Sequence, residues 1–329
     1  MGDLSLSQFE AKIVFDSDAD LSRWSGNTLR SGFGAQLKSL VCIHGSGDGS
    51  EDGERDTAAC ESCPLQKVCI YEYFYNSRPP KDGRVLKKQS DIPRPFVFDP
   101  PVAGRHSAGS AADFRFTLVG KGVEHLPYFL LAIRNLGESG MSRGYRLGYG
   151  KFSIKSVDSI GFGTSNIIFS GDTVYNRAIS MSYQEMLSAS AEHRGDLTVR
   201  FTTPTQIKEG DRFTAAPSFR GLISRLLFRA NALAEFFGSG MLYDNEQVLA
   251  LLGSCRQVSI ARASTEEIRT KRYFHRQKIK KQNLPPFFVG EITYRGEFSR
   301  EIMALLELGR FIHVGKMATF GNGMYEVEV

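Results

Sequence analysis

Four cysteines, Cys42, Cys60, Cys63 and Cys69, crowd into one short segment, while Cys255 stands apart. Cys60-Glu-Ser-Cys63 has the spacing with which a tight turn lets two thiolates grip one ion, and Cys42 and Cys69 could complete a tetrahedral sulfur shell. Sulfur ligands suit zinc first and an iron–sulfur cluster second. With no open coordination position expected, such an ion is structural. Between Cys42 and Cys60 lie Asp48, Glu51, Asp52, Glu54 and Asp56 among glycines. This acidic loop has little apolar material, so a metal would supply the crosslink it lacks. The alternative is four reduced thiols packed as small apolar groups.

Near the C-terminus, His313-Val-Gly-Lys-Met-Ala-Thr-Phe-Gly-Asn-Gly-Met-Tyr325 is a glycine-rich loop. Gly315, Gly321 and Gly323 can bring bare amides close to a phosphate; Lys316 adds a charge and Thr319 a hydroxyl. It is not a P-loop, because no Gly-Lys-Ser/Thr opens a helix after a strand, nor is it a dinucleotide fingerprint. Upstream, Arg269, Lys271, Arg272, Arg276, Lys278, Lys280 and Lys281 form a run without an acidic residue, interleaved with Tyr273, Phe274 and His275. Cations neutralise phosphates and planar rings stack on unpaired bases, so the run reads as an RNA contact, with a solvated charged face as the alternative. Arg143, Arg146 and Lys151 form a second, weaker basic area. The net charge of +5, from 41 Lys and Arg against 36 Asp and Glu, is too small to argue for a polyanion by itself.

A scaffold must position these groups. Among 329 residues, 41% are hydrophobic and 23% charged, ordinary globular usage that excludes disordered, collagen-like and coiled-coil chains. No secretory signal and no apolar run of about 18 residues is visible, so a cytoplasmic protein with reduced cysteines and no membrane partner is expected. Leu4 to Val14 alternates as a strand, and Leu29, Phe33, Leu37, Leu40 and Val41 line a helical stripe. After the cysteine insert come strands at Arg94 to Pro101 and Asp113 to Gly120, a helix at Glu124 to Gly137 and a strand at Lys151 to Ser159. From Asp196 the chain offers a strand, a helix at Ser218 to Phe237, a strand at Pro285 to Arg295, a helix at Glu297 to Leu308 and a strand at Met324 to Val329. The order β–α–β–β–α–β in each half describes a ferredoxin-like unit. The expected fold is therefore α+β, with two tandem ferredoxin-like (RRM-like) domains. The first spans 1–190 and carries the cysteine insert at about 42–77; the second spans 191–329 and carries the glycine-rich loop at 313–325.

Against these elements, Gly309-Arg-Phe-Ile-His-Val-Gly-Lys-Met-Ala-Thr-Phe-Gly-Asn-Gly-Met-Tyr325 resembles the C-terminal signature of the CRISPR-associated endoribonucleases of the Cas6 family, in the RAMP superfamily. Leu29-Arg-Ser-Gly-Phe-Gly34 resembles the family's first-helix motif, and Cys60-Glu-Ser-Cys-Pro-Leu65 with Cys69 resembles the cysteine insert of one branch. Leu126-Pro-Tyr-Phe129, Arg272-Tyr-Phe-His-Arg-Gln277 and Val289-Gly-Glu-Ile-Thr-Tyr-Arg-Gly296 complete a series that spans almost the whole chain. The resemblance implies metal-independent cutting of CRISPR repeat RNA in precursor crRNA. The ribose 2′-hydroxyl attacks the adjacent phosphorus, leaving 5′-hydroxyl and 2′,3′-cyclic phosphate ends, and CRISPR effector subunits are further partners. It points to His44 and His313 as proton-transfer candidates, Lys316 for charge stabilisation, and Tyr71, Tyr73 and Tyr325 as lesser ones. RNA contacts are expected from Arg30, Lys271, Arg272, His275, Arg276, Lys278, Lys280, Lys281, Gly315, Thr319, Gly321 and Gly323. Gly34-Ala-Gln-Leu37 lacks the helix histidine of some relatives, which keeps a non-cleaving crRNA-binding subunit as the alternative.

Overall fold

The computed structural model describes residues 2–23, 25–43, 60, 62–77, 92–141, 145–269, 271–273 and 281–329. They form two compact units, Leu6–Ser180 on one hand and Met181–Val329 with Met1–Ser5 on the other.

In the first unit, β1 (Ser5–Phe15) is central. It is followed by α1 (Ser25–Val41), β2 (Phe96–Asp99), β3 (Ala111–Val119), α2 (Leu126–Ser139) and β4 (Phe152–Ile160). A hairpin of β5 (Ser165–Ser170) and β6 (Thr173–Val174) extends the edge, giving the order β2-β3-β1-β4-β5-β6. Every pairing with a recorded register is antiparallel. The alternation of β1 works as the period-2 pattern demands: Phe9, Ala11, Ile13 and Phe15 are buried, while Glu10 and Lys12 face out and pair with Arg115 and Asp158. Beneath the sheet the core is aromatic. Phe33 of α1 and Phe129 of α2 have ring centroids 4.2 Å apart, and Phe96, Phe98 and Phe116 of the strands close around them.

The second unit repeats the order with a core that mixes aliphatic side chains with rings such as Phe201, Phe219, Tyr294 and Phe298. Its elements are β7 (His193–Thr205), α4 (Phe219–Phe237), β8 (Ser259–Ile268), β9 (Phe287–Phe298), α6 (Arg300–Ile312) and β10 (Tyr325–Glu328), preceded by the short α3 (Tyr183–Ala189). A further helix, α5 (Asn245–Ser254), lies between α4 and β8. The four-stranded sheet runs β8-β9-β7-β10, the same arrangement as β2-β3-β1-β4. Leu222, Leu226 and Leu233 of α4 and Ile302, Leu305 and Ile312 of α6 are buried against it; burying one such side chain contributes about 1.5–3 kcal/mol. Ser218 and Ser299 start the two helices by accepting hydrogen bonds from the amides of Gly221 and Ile302.

The α+β class and the ferredoxin-like order agree with the reading of the sequence. Strand β8, helix α5 and the β5–β6 hairpin carried no assignment there. Eight of the ten residues of β8 are exposed and none is buried, so it shows no buried face to betray it. Among the described residues no helix is long and apolar enough to cross a membrane.

Candidate functional site

The glycine-rich loop leaves α6 at a sharp corner. Ile312 ends the helix, and His313 takes φ 59°. His313 is fully buried, and its Nδ1–H donates to the Asn322 carbonyl at 3.2 Å. In this structure the ring has no open surface, and its contact with Asn322 closes the loop on itself.

Backbone bonds to other parts of the unit complete the closure. The Val314 amide donates to the Gly323 carbonyl at 3.0 Å, the Gly323 amide to Pro204 at 3.2 Å, and the Lys316 amide to Gln206 at 3.3 Å. The glycines are required by crowding. A Cβ on Gly315 would stand 2.4 Å from the Gln206 carbonyl oxygen, and one on Gly323 would stand 1.8 Å from that of Val314; both residues have positive φ. Gly321, Gly323 and Thr319 are buried, so three expected RNA-contact residues lie inside the loop and hold its shape. Lys316 is exposed, with Gly315 partly so beside it; the Lys316 ammonium sits 5.1 Å from the centre of the Phe213 ring. Tyr325 is buried and donates its hydroxyl to the Leu306 carbonyl, while burial pushes its phenol far above the ordinary value, so it cannot serve as a proton donor to substrate.

Two residues absent from the sequence reading hold this loop in place. Gln206, just beyond the end of β7, supplies the carbonyl that Lys316 uses, while its side chain donates to Pro285 at 2.8 Å. Arg229, in the middle of α4, donates from Nε to the Ile312 carbonyl at 2.6 Å. Neither has a local sequence signal, because each acts on chain more than 70 residues away.

The exposed face of the second sheet is occupied by a cross-strand ladder. Arg194 faces Glu297, Asp196 faces Arg295, Thr198 faces Thr293 and Arg200 faces Glu291 in register. Their side chains meet at 2.6, 2.6, 2.9 and 2.7 Å. Arg295 holds the Asp196 carboxyl below its usual range through that hydrogen bond. Positions already matched in charge, and carrying no aromatic ring, offer no stacking platform for bases.

In the first unit, Arg30 lies half-buried on α1, its guanidinium 4.8 Å above the Tyr75 ring, and the Tyr75 hydroxyl donates to the Arg30 carbonyl at 2.7 Å. Tyr71 is buried, stacked on Tyr75 with ring centroids 5.0 Å apart, and burial holds the Tyr73 hydroxyl well above its ordinary value. Cys42, Cys60, Cys63 and Cys69 line one cavity of about 260 Å³ at the end of α1, together with Val41, Gln66, Glu72 and Tyr128. Chain-local bonds shape the insert: the Cys63 amide donates to Cys60, Gln66 to Cys63 and Cys69 to Gln66. The donor set suits zinc by its chemistry. Yet among the described residues no three His, Cys, Asp or Glu side chains stand together as a set that could hold a metal ion. The thiols share a cavity without forming a ready site.

His44, His275, Arg276, Lys278 and Lys280 lie outside the described residues. For Lys271, Arg272 and Lys281 only the backbone is described: Lys271–Tyr273 pairs antiparallel with Lys281–Asn283.

Residues 4–182 match the AF_1859_N N-terminal domain, and residues 199–325 match the family described as CRISPR-associated endoribonuclease Cas6. An uncharacterized protein of Archaeoglobus fulgidus is 24% identical over 328 residues, 98% of each chain. Among solved structures, the Cas6 (TTHB231) product complex is similar with TM-score 0.54 at 18% identity, each chain covered in full. Thermus thermophilus Cas6 (TTHB231) gives 0.52 at 17%, with 99% of both chains covered. A partial Cas6-RT-Cas1–Cas2 complex gives 0.56 at 14%, covering 99% of this chain and 46% of that one. These likenesses concern the fold; the family match in the second unit, which contains the glycine-rich loop, concerns descent. The chain thus belongs to the family that carries the AF_1859_N N-terminal domain, over residues 4–182, and its second unit matches the CRISPR-associated endoribonuclease Cas6 family over residues 199–325.

Proposed function

We propose that this protein cuts CRISPR repeat RNA within precursor crRNA, without a catalytic metal, by attack of a ribose 2′-hydroxyl on the neighbouring phosphorus. The observation that carries this reading is the crest of the glycine-rich loop, where Lys316 is exposed on a backbone clamped to Gln206 and Pro204. A cation on a rigid support meets the charge that develops on a phosphorane without reorganising during the reaction. His44, three residues beyond the end of α1, is the proposed proton-transfer group, with an imidazole whose ordinary pKa lies near neutrality. The basic run from Arg269 to Lys281, between β8 and β9 in the chain, is proposed to hold the RNA strand. The product passes to CRISPR effector subunits in the cytoplasm.

Excess chelator with the repeat RNA of its own locus tests the chemistry. A 5′-hydroxyl fragment paired with a cyclic phosphate, abolished by 2′-deoxy substitution at the cut, is the expected outcome. His44→Ala should lower single-turnover cleavage by about a hundredfold to ten-thousandfold, and Lys316→Ala by about ten- to a thousandfold. Tight binding with no product would instead identify a non-cleaving subunit that holds crRNA.

We also propose a structural zinc ion in the cysteine cavity. The four thiols that line it support this: Cys42, Cys60, Cys63 and Cys69 would hold the ion, which would supply the crosslink that the insert lacks.

A further inference from the structure

Arg229 carries a charge that no described carboxylate pairs with. It is 8% exposed, lies in the middle of α4, and has no ion pair with a carboxylate among the described residues. Its Nη2 is buried without a hydrogen-bond partner. Burial lowers the guanidinium to about 10, which still leaves it protonated at neutral pH. Desolvating a charge without a counter-ion is costly, and such a group persists where the surrounding fold demands it. Its one recorded anchor is the Ile312 carbonyl at 2.6 Å, the last residue of α6 and the negative end of that helix.

That anchor is the root of the glycine-rich loop. Ile312 precedes His313, whose left-handed backbone turns the chain, and His313 in turn holds the Asn322 carbonyl near the loop's far end. Asn322 Nδ2 is a second buried donor without a partner in the same corner. Arg229, Ile312, His313 and Asn322 thus form one chain of contacts across the base of the loop, with Lys316 at its crest. We propose that Arg229 is the positioning residue of the glycine-rich loop: it pins the α6 corner and, as an uncompensated cation in a low-dielectric interior, adds positive potential where an RNA phosphate binds. This deepens the proposed function and rests on it for the phosphate, but not for the pinning.

Two substitutions separate geometry from charge. Arg229→Lys keeps the cation and loses the fork, whereas Arg229→Met loses both. Hydrogen exchange without RNA reads the pinning: peptides spanning residues 309–325 should exchange at least about tenfold faster in Arg229→Met, while peptides from β1 to β4 change less than about twofold. Arg229→Lys should fall between the two, and it keeps the test open if the methionine variant does not fold. Equal acceleration throughout the second unit, or no change at 309–325, overturns the assignment. With repeat RNA, Arg229→Met should bind at least about tenfold more weakly with a shallower salt slope, and Arg229→Lys should restore the slope but not the full cleavage rate. Unchanged RNA affinity in both variants removes the electrostatic part. If wild-type protein neither binds nor cuts repeat RNA, the functional reading fails, while the exchange result still decides whether Arg229 holds the loop.

Discussion

The glycine-rich loop and the cysteine insert both leave the C-terminal end of a helix packed on a sheet, yet they are held in opposite ways. The loop after α6 is tied to distant chain, through Pro204, Gln206 and Arg229, and its glycines sit against backbone carbonyls. Around its cysteines, over residues 60–69, the insert after α1 is shaped by turns of three residues and leaves Leu65 41% and Val68 76% exposed, whereas Phe74 and Tyr75 at its far end are buried in the core of the first unit. Apolar side chains left in water give an insert little cohesion of its own. One region is fixed by what the fold brings to it; the segment around the cysteines is shaped by its own turns.

Breaking the loop should have the largest effect. Gly323→Ala puts a methyl group against the Val314 carbonyl at a φ of 76°, with an expected loss of about 3 kcal/mol or more in urea unfolding and loss of cleavage with it. Gly210→Ala in the same unit, at φ 55° with nothing within 4 Å, should cost only about 1–2 kcal/mol. Equal losses at the two positions would show that crowding does not govern the loop.

The insert should answer to metal instead. If zinc occupies the cavity, chelation should destabilise the protein by about 2–4 kcal/mol, as removal of a ligand held well above its Kd does, and Cys63→Ser should abolish that sensitivity. A thiol titration sharpens the point. Four cysteines should become reactive on chelation, while Cys255, buried and pushed up to about 11, should react only on unfolding. Metal-free protein of full stability, with all four thiols reactive from the start, would leave the insert as packed thiols.

The smallest effect expected concerns pH. His125, against Tyr73 and Phe74, is held below its ordinary 6.5 by burial, which outweighs the opposing pull of Glu124. The unfolded chain then binds the proton more readily, so the stability it contributes is complete above about 6.5 and falls away as pH drops toward the lower folded value. His125→Gln should flatten that part of the stability curve of the first unit; an unaltered curve would assign the dependence elsewhere.

Much of this was legible in the residues. Alternation in β1 and β3 and the stripe Leu29, Phe33, Leu37 predicted elements that form within a few residues of the expected ends, because burial of one face is a local pattern. Strand β8 escaped because it lacks such a face. The glycine-rich segment was recognisable as a motif, but the roles within it were not. The exposed side chain of Lys316 and the buried ring of His313 are only three residues apart, and no periodicity separates them.

By itself, then, the sequence determined the βαββαβ order of the first unit, all of the second but β8, the resemblance of the second to Cas6 and the clustering of four cysteines, since each is written in types and spacings along the chain. Tertiary structure alone decided that the His313 ring is buried against the Asn322 carbonyl, that Gly315 and Gly323 face backbone carbonyls, and that Arg229 anchors the Ile312 carbonyl. The physical reason is that burial and close approach depend on which distant segments meet, and Gln206 and Arg229 reach the loop only once β7, α4 and α6 have packed together.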